Sequence, residues 1–191
     1  MTDNASVATK KRSLTRESLL NAAGAVVLRL GADALTLEAV AKEAGVSKGG
    51  LLYHFPSKDS LLTSIVENLI EQFEKSLEIE IAREGNPSVK GAWLRAFIRA
   101  SDLFDRQNAA IQSGLLAAIA KHSKLVQPVQ EASKRWQQKA YNCGIIPLKA
   151  SIILLAMDGL SLNQLLSIST IDDQERSQVV AELIRMTYSD D

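Results

Sequence analysis

Apolar residues return at three- and four-residue spacing along almost the whole chain, and no run alternates as a half-buried strand would. Leu19, Leu20, Ala23, Val26, Val27 and Leu30 predict an amphipathic helix from about Thr15 to Leu30, ended by Gly31. A short helix follows over Leu37 to Glu43 and stops at Gly45. Another runs from Lys48 to about His54 and stops before Pro56. A long fourth helix starts after Ser57, carries Leu61, Leu62, Ile65, Val66, Leu69, Ile70, Phe73, Leu77 and Ile81, and ends at Arg83 before Gly85-Asn86-Pro87. The pattern then predicts helices over Ser88 to Phe104, Asn108 to Ala120, Lys124 to Tyr141, Leu148 to Ser167 and Asp172 to Tyr188, with Gly144 and Pro147 separating the third from the fourth. The expected fold class is all-α.

One device recurs where the first helices begin: Leu14-Thr15 with Leu19, Leu35-Thr36 with Val40, and Val46-Ser47 with Leu51. In each, a hydroxyl is placed to accept an orphan amide hydrogen while the preceding apolar residue packs on the one five positions later. At the fourth start, Ser57 offers the cap and Asp59 falls in the first turn, where the helix dipole favours an anion.

Composition narrows the class. A chain of 191 residues with 46% hydrophobic residues can bury a core, and its single cysteine, Cys143, excludes a disulfide scaffold and points to a reducing compartment. No apolar stretch approaches the roughly 20 residues that cross a bilayer, and the polar start lacks a secretory signal, so the expectation is a soluble, cytoplasmic protein without a membrane partner. Enzyme chemistry lacks its usual parts. His54 and His122 have no metal-ligand neighbours at useful spacing, Cys143 has no adjacent base, and no phosphate loop or Gly-x-Ser-x-Gly turn is present. No catalytic residue, metal or cofactor is expected. Formal net charge is zero, but residues 1–60 carry eight basic and six acidic side chains, with Lys10, Lys11, Arg12 and Arg16 clustered, so the head is slightly positive.

Leu37 to Phe55 reads as helix, Gly-containing turn, helix. Such a pair either forms an ordinary helical hairpin or places the start of its second helix in a DNA major groove. The run Leu37-Glu38-Ala39-Val40-Ala41-Lys42-Glu43-Ala44-Gly45-Val46-Ser47-Lys48-Gly49-Gly50-Leu51-Leu52-Tyr53-His54-Phe55-Pro56-Ser57-Lys58-Asp59-Ser60-Leu61-Leu62 resembles the amino-terminal DNA-binding domain of the TetR family of bacterial transcriptional regulators. The resemblance extends back to Thr15 and covers about the first third of the chain; the rest matches only in helical organisation and length. The expected organisation is a flexible basic arm at 1–12, read from the residues before the first helix, then a helix-turn-helix domain at 13–60 and a helical ligand-binding and dimerisation body at 61–191 that the resemblance implies. The resemblance further implies a homodimer that binds a palindromic operator on double-stranded DNA, usually as a repressor, and releases it when a small-molecule effector occupies the body. Two alternatives stay open: a helical small-molecule-binding protein without specific DNA binding, and a ligand-independent DNA-binding protein.

Carried onto matching positions, the resemblance has Lys48, Gly49, Gly50, Tyr53 and His54 facing DNA, Lys58 meeting the backbone, and Thr36 near a phosphate, with Ser47 opening the reading helix. Many members have a tyrosine where this chain has Leu52, which cannot donate a hydrogen bond to phosphate. Two glycines in a short helix cost about 1 kcal/mol each relative to alanine. Either Gly49 and Gly50 let backbone approach DNA, or the first turn simply tolerates them. Few base-reading side chains remain, so Lys48 and Tyr53 are expected to supply most direct readout and DNA shape the rest. Lys10, Lys11 and Arg12 either form a mobile arm that reaches the nucleic acid or a solvated tail.

In the body, Leu155, Gly159, Leu162 and Leu166 on one helix and Val180, Leu183 and Ile184 on the next are the expected dimer surface; the competing reading assigns the same residues to an intramolecular core. Phe73, Trp93, Phe97, Phe104, Trp136 and Tyr141 are candidates to line an effector site, although aromatics at helical spacing are more often core. Asp158, in an apolar helix, is a candidate partner for a cationic ligand.

Overall fold

The computed structural model describes the backbone of residues 3–121 and 123–189, and side chains from residue 16 onward except those of residues 117 and 120–123. Among these residues all regular structure is helical: α1 (Asp3–Leu30), α2 (Leu37–Glu43), α3 (Lys48–His54), α4 (Lys58–Arg83), α5 (Ala92–Lys121), α6 (Ser123–Tyr141), α7 (Pro147–Leu165) and α8 (Asp173–Met186). The chain divides into two compact units, one running up to Asn68 and including Gly114–Pro128, the other made of Leu69–Ser113 and the residues from Val129 onward.

Capping chemistry sets the short helices of the first unit. The Ala39 amide donates to Thr36 Oγ1 at 3.1 Å and the Gly50 amide to Ser47 Oγ at 3.1 Å. At the start of α4, Ser57 and Ser60 form a reciprocal box: the Ser60 amide donates to Ser57 Oγ at 3.0 Å and the Ser57 amide to Ser60 Oγ at 3.2 Å. The helix start expected at Thr15 is not found, because α1 already runs from Asp3. Nothing between Asp3 and Ser13 breaks a helix, since the segment has neither glycine nor proline. The segment expected as an arm therefore continues α1, and the side chains of Lys10, Lys11 and Arg12 lie outside the described residues.

The core of this unit is built from Leu19, Ala23, Val26 and Val27 on α1, Leu35, Val40, Leu51 and Phe55 around α2 and α3, and Leu61, Leu62 and Ile65 on α4. Leu115, Ala118 and Leu125 are buried too, so the α5–α6 corner belongs to this unit. A Cβ on Gly114 would lie 2.9 Å from Val27 Cγ1, which makes the α5 backbone and α1 direct neighbours. Arg16 is not part of a free basic cluster. It donates to Ser64 Oγ at 2.9 Å and lies 5.5 Å from the Phe55 ring centroid.

In the second unit, α5 runs unbroken through the gap expected between Phe104 and Asn108. Asp105, which reads as part of a break, is polar because it faces α7 and α8. Asp105 accepts from Ser161 Oγ and from Arg176, Arg176 also donates to Asp102 at 2.8 Å, and the Asn108 side chain donates to the Phe104 carbonyl at 3.0 Å. Burial, opposed by those bonds and by the Arg176 charge, raises the Asp105 carboxyl above its ordinary range.

A second buried arginine closes the far end of α8. Arg95 donates to Glu84 at 2.8 Å, to the Lys90 carbonyl at 3.0 Å and to Thr187 Oγ1 at 3.3 Å, and it lies 4.4 Å from the Tyr188 ring centroid. Glu84 also binds Arg99, and Glu80 accepts from Arg99 at 2.9 Å. Beside Arg95, Gly91 has φ of 75°, where a side chain is strained, and an added Cβ would lie 2.9 Å from Arg95 Nη1 and 3.1 Å from the Thr187 carbonyl oxygen.

Two stability predictions follow from this cluster. Gly91→Ala combines left-handed strain with overpacking and should cost about 2–4 kcal/mol, lowering Tm by on the order of 5–15 °C in calorimetry; an unchanged Tm would contradict the packing described. For Glu84, burial alone would raise the carboxyl, and the hydrogen bonds and charges of Arg95 and Arg99 outweigh it, holding the group below the ordinary carboxylate range. Its contribution is therefore present above the unfolded pKa and disappears as pH falls through the folded one. Glu84→Gln should destabilise by about 3 kcal/mol at neutral pH in urea melts. That gap should narrow on acidification towards about pH 3.

Candidate nucleic-acid interface and effector site

The turn between α2 and α3 is a Schellman motif. Gly45 takes φ of 67°, its amide donates to the Lys42 carbonyl at 3.2 Å, and the Val46 amide donates to the Ala41 carbonyl at 3.0 Å. This fixes how α3 leaves α2. Leu51 and Phe55 then anchor α3 inward, at 0% and 1% exposure. The opposite face carries Lys48, Gly49, Gly50, Leu52 and Tyr53, all exposed, with Tyr53 at 69%.

That surface is partly committed within the unit. Lys48 forms an ion pair with Glu38 on α2, a residue to which the sequence reading assigned no role. The signal was available, since an acid in the first turn of α2 faces the lysine that opens α3, but spacing alone does not say that the two helices bring them together. Arg29 and Glu43 make a separate pair at 2.7 Å. Lys58 is half-buried, and its ammonium donates to the Asp33 carbonyl at 2.9 Å, so the residue expected at the DNA backbone also ties α4 to the loop before α2. Thr36 and Ser47 serve as helix caps while remaining exposed. Tyr53 and His54 stack edge to face at 5.3 Å.

The two glycines differ. An added Cβ on Gly49 would meet nothing within 4 Å, whereas one on Gly50 would sit 3.3 Å from the capping Ser47 Oγ. Among the described residues, no packing calls for glycine at position 49.

In the second unit, five of the expected aromatics converge. Phe73 meets Phe97 at 5.5 Å, Phe104 at 5.6 Å and Trp136 at 4.7 Å, while Trp93 stacks on Phe97 at 5.3 Å. Trp136 Nε1 is buried without a hydrogen-bond partner, a deficit that ordinarily costs about 1–3 kcal/mol. Gln164 Oε1 shares that condition and was not foreseen, since nothing in the local pattern marks it. Tyr141 is not part of the cluster; its hydroxyl pairs with Ser151 Oγ at 2.7 Å. Asp158 is not part of it either. It is exposed on α7, and the atoms crowding it raise its carboxyl.

The outer side of α7 is a continuous apolar stripe. Leu148, Ile152, Leu155, Leu162 and Leu166 are all exposed, Leu155 by 69%, and with the open Gly159 they alternate four and three residues apart. Leu148 and Ile152 extend the expected surface by two turns. Leu183 is a correction: it is buried at 6% against Ile153, Met157 and Leu160, because the α8 side that looked outward packs on α7. Val180 and Ile184 are half-buried on the same core.

Among the described residues no group of three or more metal-ligating side chains gathers, and no helix is long and apolar enough to cross a membrane. The model for "Bacterial regulatory proteins, tetR family" matches residues 19–65, and that for "Tetracyclin repressor-like, C-terminal domain" matches residues 91–188. The HTH-type transcriptional regulator RutR of Escherichia coli (strain K12) is 36% identical over 75 residues, which is 37% of this chain and 35% of that protein. The match thus spans about a third of the curated relative. The fold resembles a transcriptional regulator from Rhodococcus sp. Rha1 (22% identity, TM-score 0.71, 90% of this chain and 95% of that one). It also resembles the multidrug binding protein EbrR, solved in complex with imidazole (22% identity, TM-score 0.62, 88% and 93% covered). The capped and anchored α3, joined to a helical body that a repressor-like family model matches over more than half of the chain, makes this protein a member of the TetR family of transcriptional regulators.

Proposed function

We propose that the protein is a ligand-responsive repressor that binds a palindromic operator as a homodimer and leaves it when a small molecule occupies the body. The observation that carries this reading is the exposed face of α3, where Lys48, Gly49 and Tyr53 project from a helix whose other side is fully anchored. Gly49 supports it further, because open space around the missing Cβ fits close approach by something outside the protein.

The α7 stripe supports dimerisation. Its four-three alternation suits helix packing against a symmetry mate, and an exposed apolar row of that length is a liability in a monomer. Two heads then have to present α3 about 34–36 Å apart to meet successive major grooves. An effector that fits only the mis-spaced state lowers operator affinity by its preference between states. The aromatic cluster around Phe73 and Trp136 is the proposed effector site: it offers apolar faces and one unused indole N–H, which suits a flat, largely apolar ligand with a hydrogen-bond acceptor. The relative EbrR, described as multidrug binding, gives the same direction by analogy.

The central test is binding of the full-length protein to DNA upstream of its own gene and its neighbours, against scrambled duplex, with and without candidate ligands. Lys48→Ala and Tyr53→Ala should each weaken operator binding by about tenfold or more in fluorescence anisotropy while changing scrambled-duplex affinity less. Equal losses on both duplexes would remove these residues from sequence readout. Leu155→Glu combined with Leu162→Glu should give a monomer in sedimentation at micromolar concentration and lose operator binding. A dimer that survives both charges would place the interface elsewhere.

A further inference from the structure

The Glu38–Lys48 pair sits awkwardly on a surface meant for a polyanion. Both side chains are more than half exposed, so the pair adds little to stability. The hydrogen bond from Lys48, one from the backbone, and the Lys48 charge keep the Glu38 carboxyl below its ordinary range, so it carries a full negative charge at neutral pH. A carboxylate here repels phosphate and holds back the lysine that opens the reading helix. Arg29–Glu43, the other α2 pair, has no such position: it joins the carboxyl-terminal ends of α1 and α2.

We propose that Glu38 is a specificity-determining residue of the DNA interface, and that the Glu38–Lys48 pair reads one G·C base pair in each half-site. The inference rests on the operator-binding reading above. In the major groove a G·C pair presents guanine N7 and O6 as acceptors and the cytosine N4 amino group as donor, in that order. The Lys48 ammonium has three donors; one is directed at Glu38 and two remain for N7 and O6. The Glu38 carboxylate keeps lone pairs free to accept from N4. An A·T pair interleaves its donor between two acceptors and adds a methyl group, so the same side chains meet a mismatched edge. Gly49 and Gly50 follow Lys48 without side chains, which leaves the pair unobstructed. On non-cognate DNA the carboxylate opposes phosphate contact by Lys48, so Glu38 lowers non-specific affinity as well.

The test uses the full-length protein. A preferred duplex is selected from a randomised pool with the wild type. Affinities are then measured for that duplex, for versions with each G·C pair changed to A·T, and for a scrambled duplex, at several salt concentrations. The wild type should lose about tenfold or more at one G·C position per half-site. Glu38→Gln should reduce that loss to within about twofold at that position alone. Its binding to scrambled DNA should tighten, with a salt slope steeper by about 0.9 as Lys48 becomes free to neutralise a phosphate. Glu43→Gln removes the same charge from the same helix and should leave the position-specific loss intact. The exchanged double variant, Glu38→Lys with Lys48→Glu, can re-form an ion pair and keep the fold, yet should lose the preference. The inference is overturned if Glu38→Gln retains every wild-type base penalty, if Glu43→Gln reproduces its effect, or if the exchanged variant keeps the preference and the pair is only a bridge between helices. A wild type that prefers no duplex is a separate signature: it removes the operator-binding reading itself, and this inference with it.

Discussion

A helix of seven residues cannot sustain itself in water, because it closes too few hydrogen bonds to repay its nucleation. The anchoring of Leu51 and Phe55 is therefore the constraint on which the first unit depends. Those two side chains bury the inner face of α3, the Schellman turn sets its exit from α2, and Ser47 satisfies one of its free amides. Since burial is confined to one face, the other face is released from packing and can be chosen for recognition. Lys48, Gly49 and Tyr53 stand where no core requirement selects them.

The second unit solves a different problem with two arginines. Arg176 leaves α8 near its start to reach Asp102 and Asp105 on α5, and Arg95 leaves α5 to reach Thr187 just beyond the end of α8. The helix is clamped at both ends by buried charge. Such pairs add little net stability compared with apolar packing, but each is strongly destabilising to break singly, so they fix one arrangement and penalise others. With α8 held against α5 and with Ile153, Met157 and Leu160 turned inward, the leucine row on α7 is left facing out.

What could be read from sequence follows the range of the interactions involved. Helix starts at Leu37, Lys48 and Lys58 were legible because their caps are three residues from the amides they satisfy. The fusion across Asp105 was not, because that residue looks like a break until Ser161 and Arg176, 56 and 71 positions away, are seen to occupy it. Leu183 misled for the same reason: periodicity marks an apolar face without saying whether the partner is α7 or another chain. Of the candidate DNA-facing residues, the outward placement of Lys48 and Tyr53 was implied by the family resemblance. The engagement of Lys58 with Asp33 and of Lys48 with Glu38 depended on how the chain brings α4 to the loop before α2 and α3 to α2.

The chain has two tryptophans, and Trp93 and Trp136 both belong to the one aromatic cluster. Its ultraviolet emission therefore originates almost wholly from a single neighbourhood, and the unmodified protein carries its own optical reporter there. Quenching, spectral shift and anisotropy of that signal track the surroundings of the Trp136 indole without a dye, a label or an engineered chromophore.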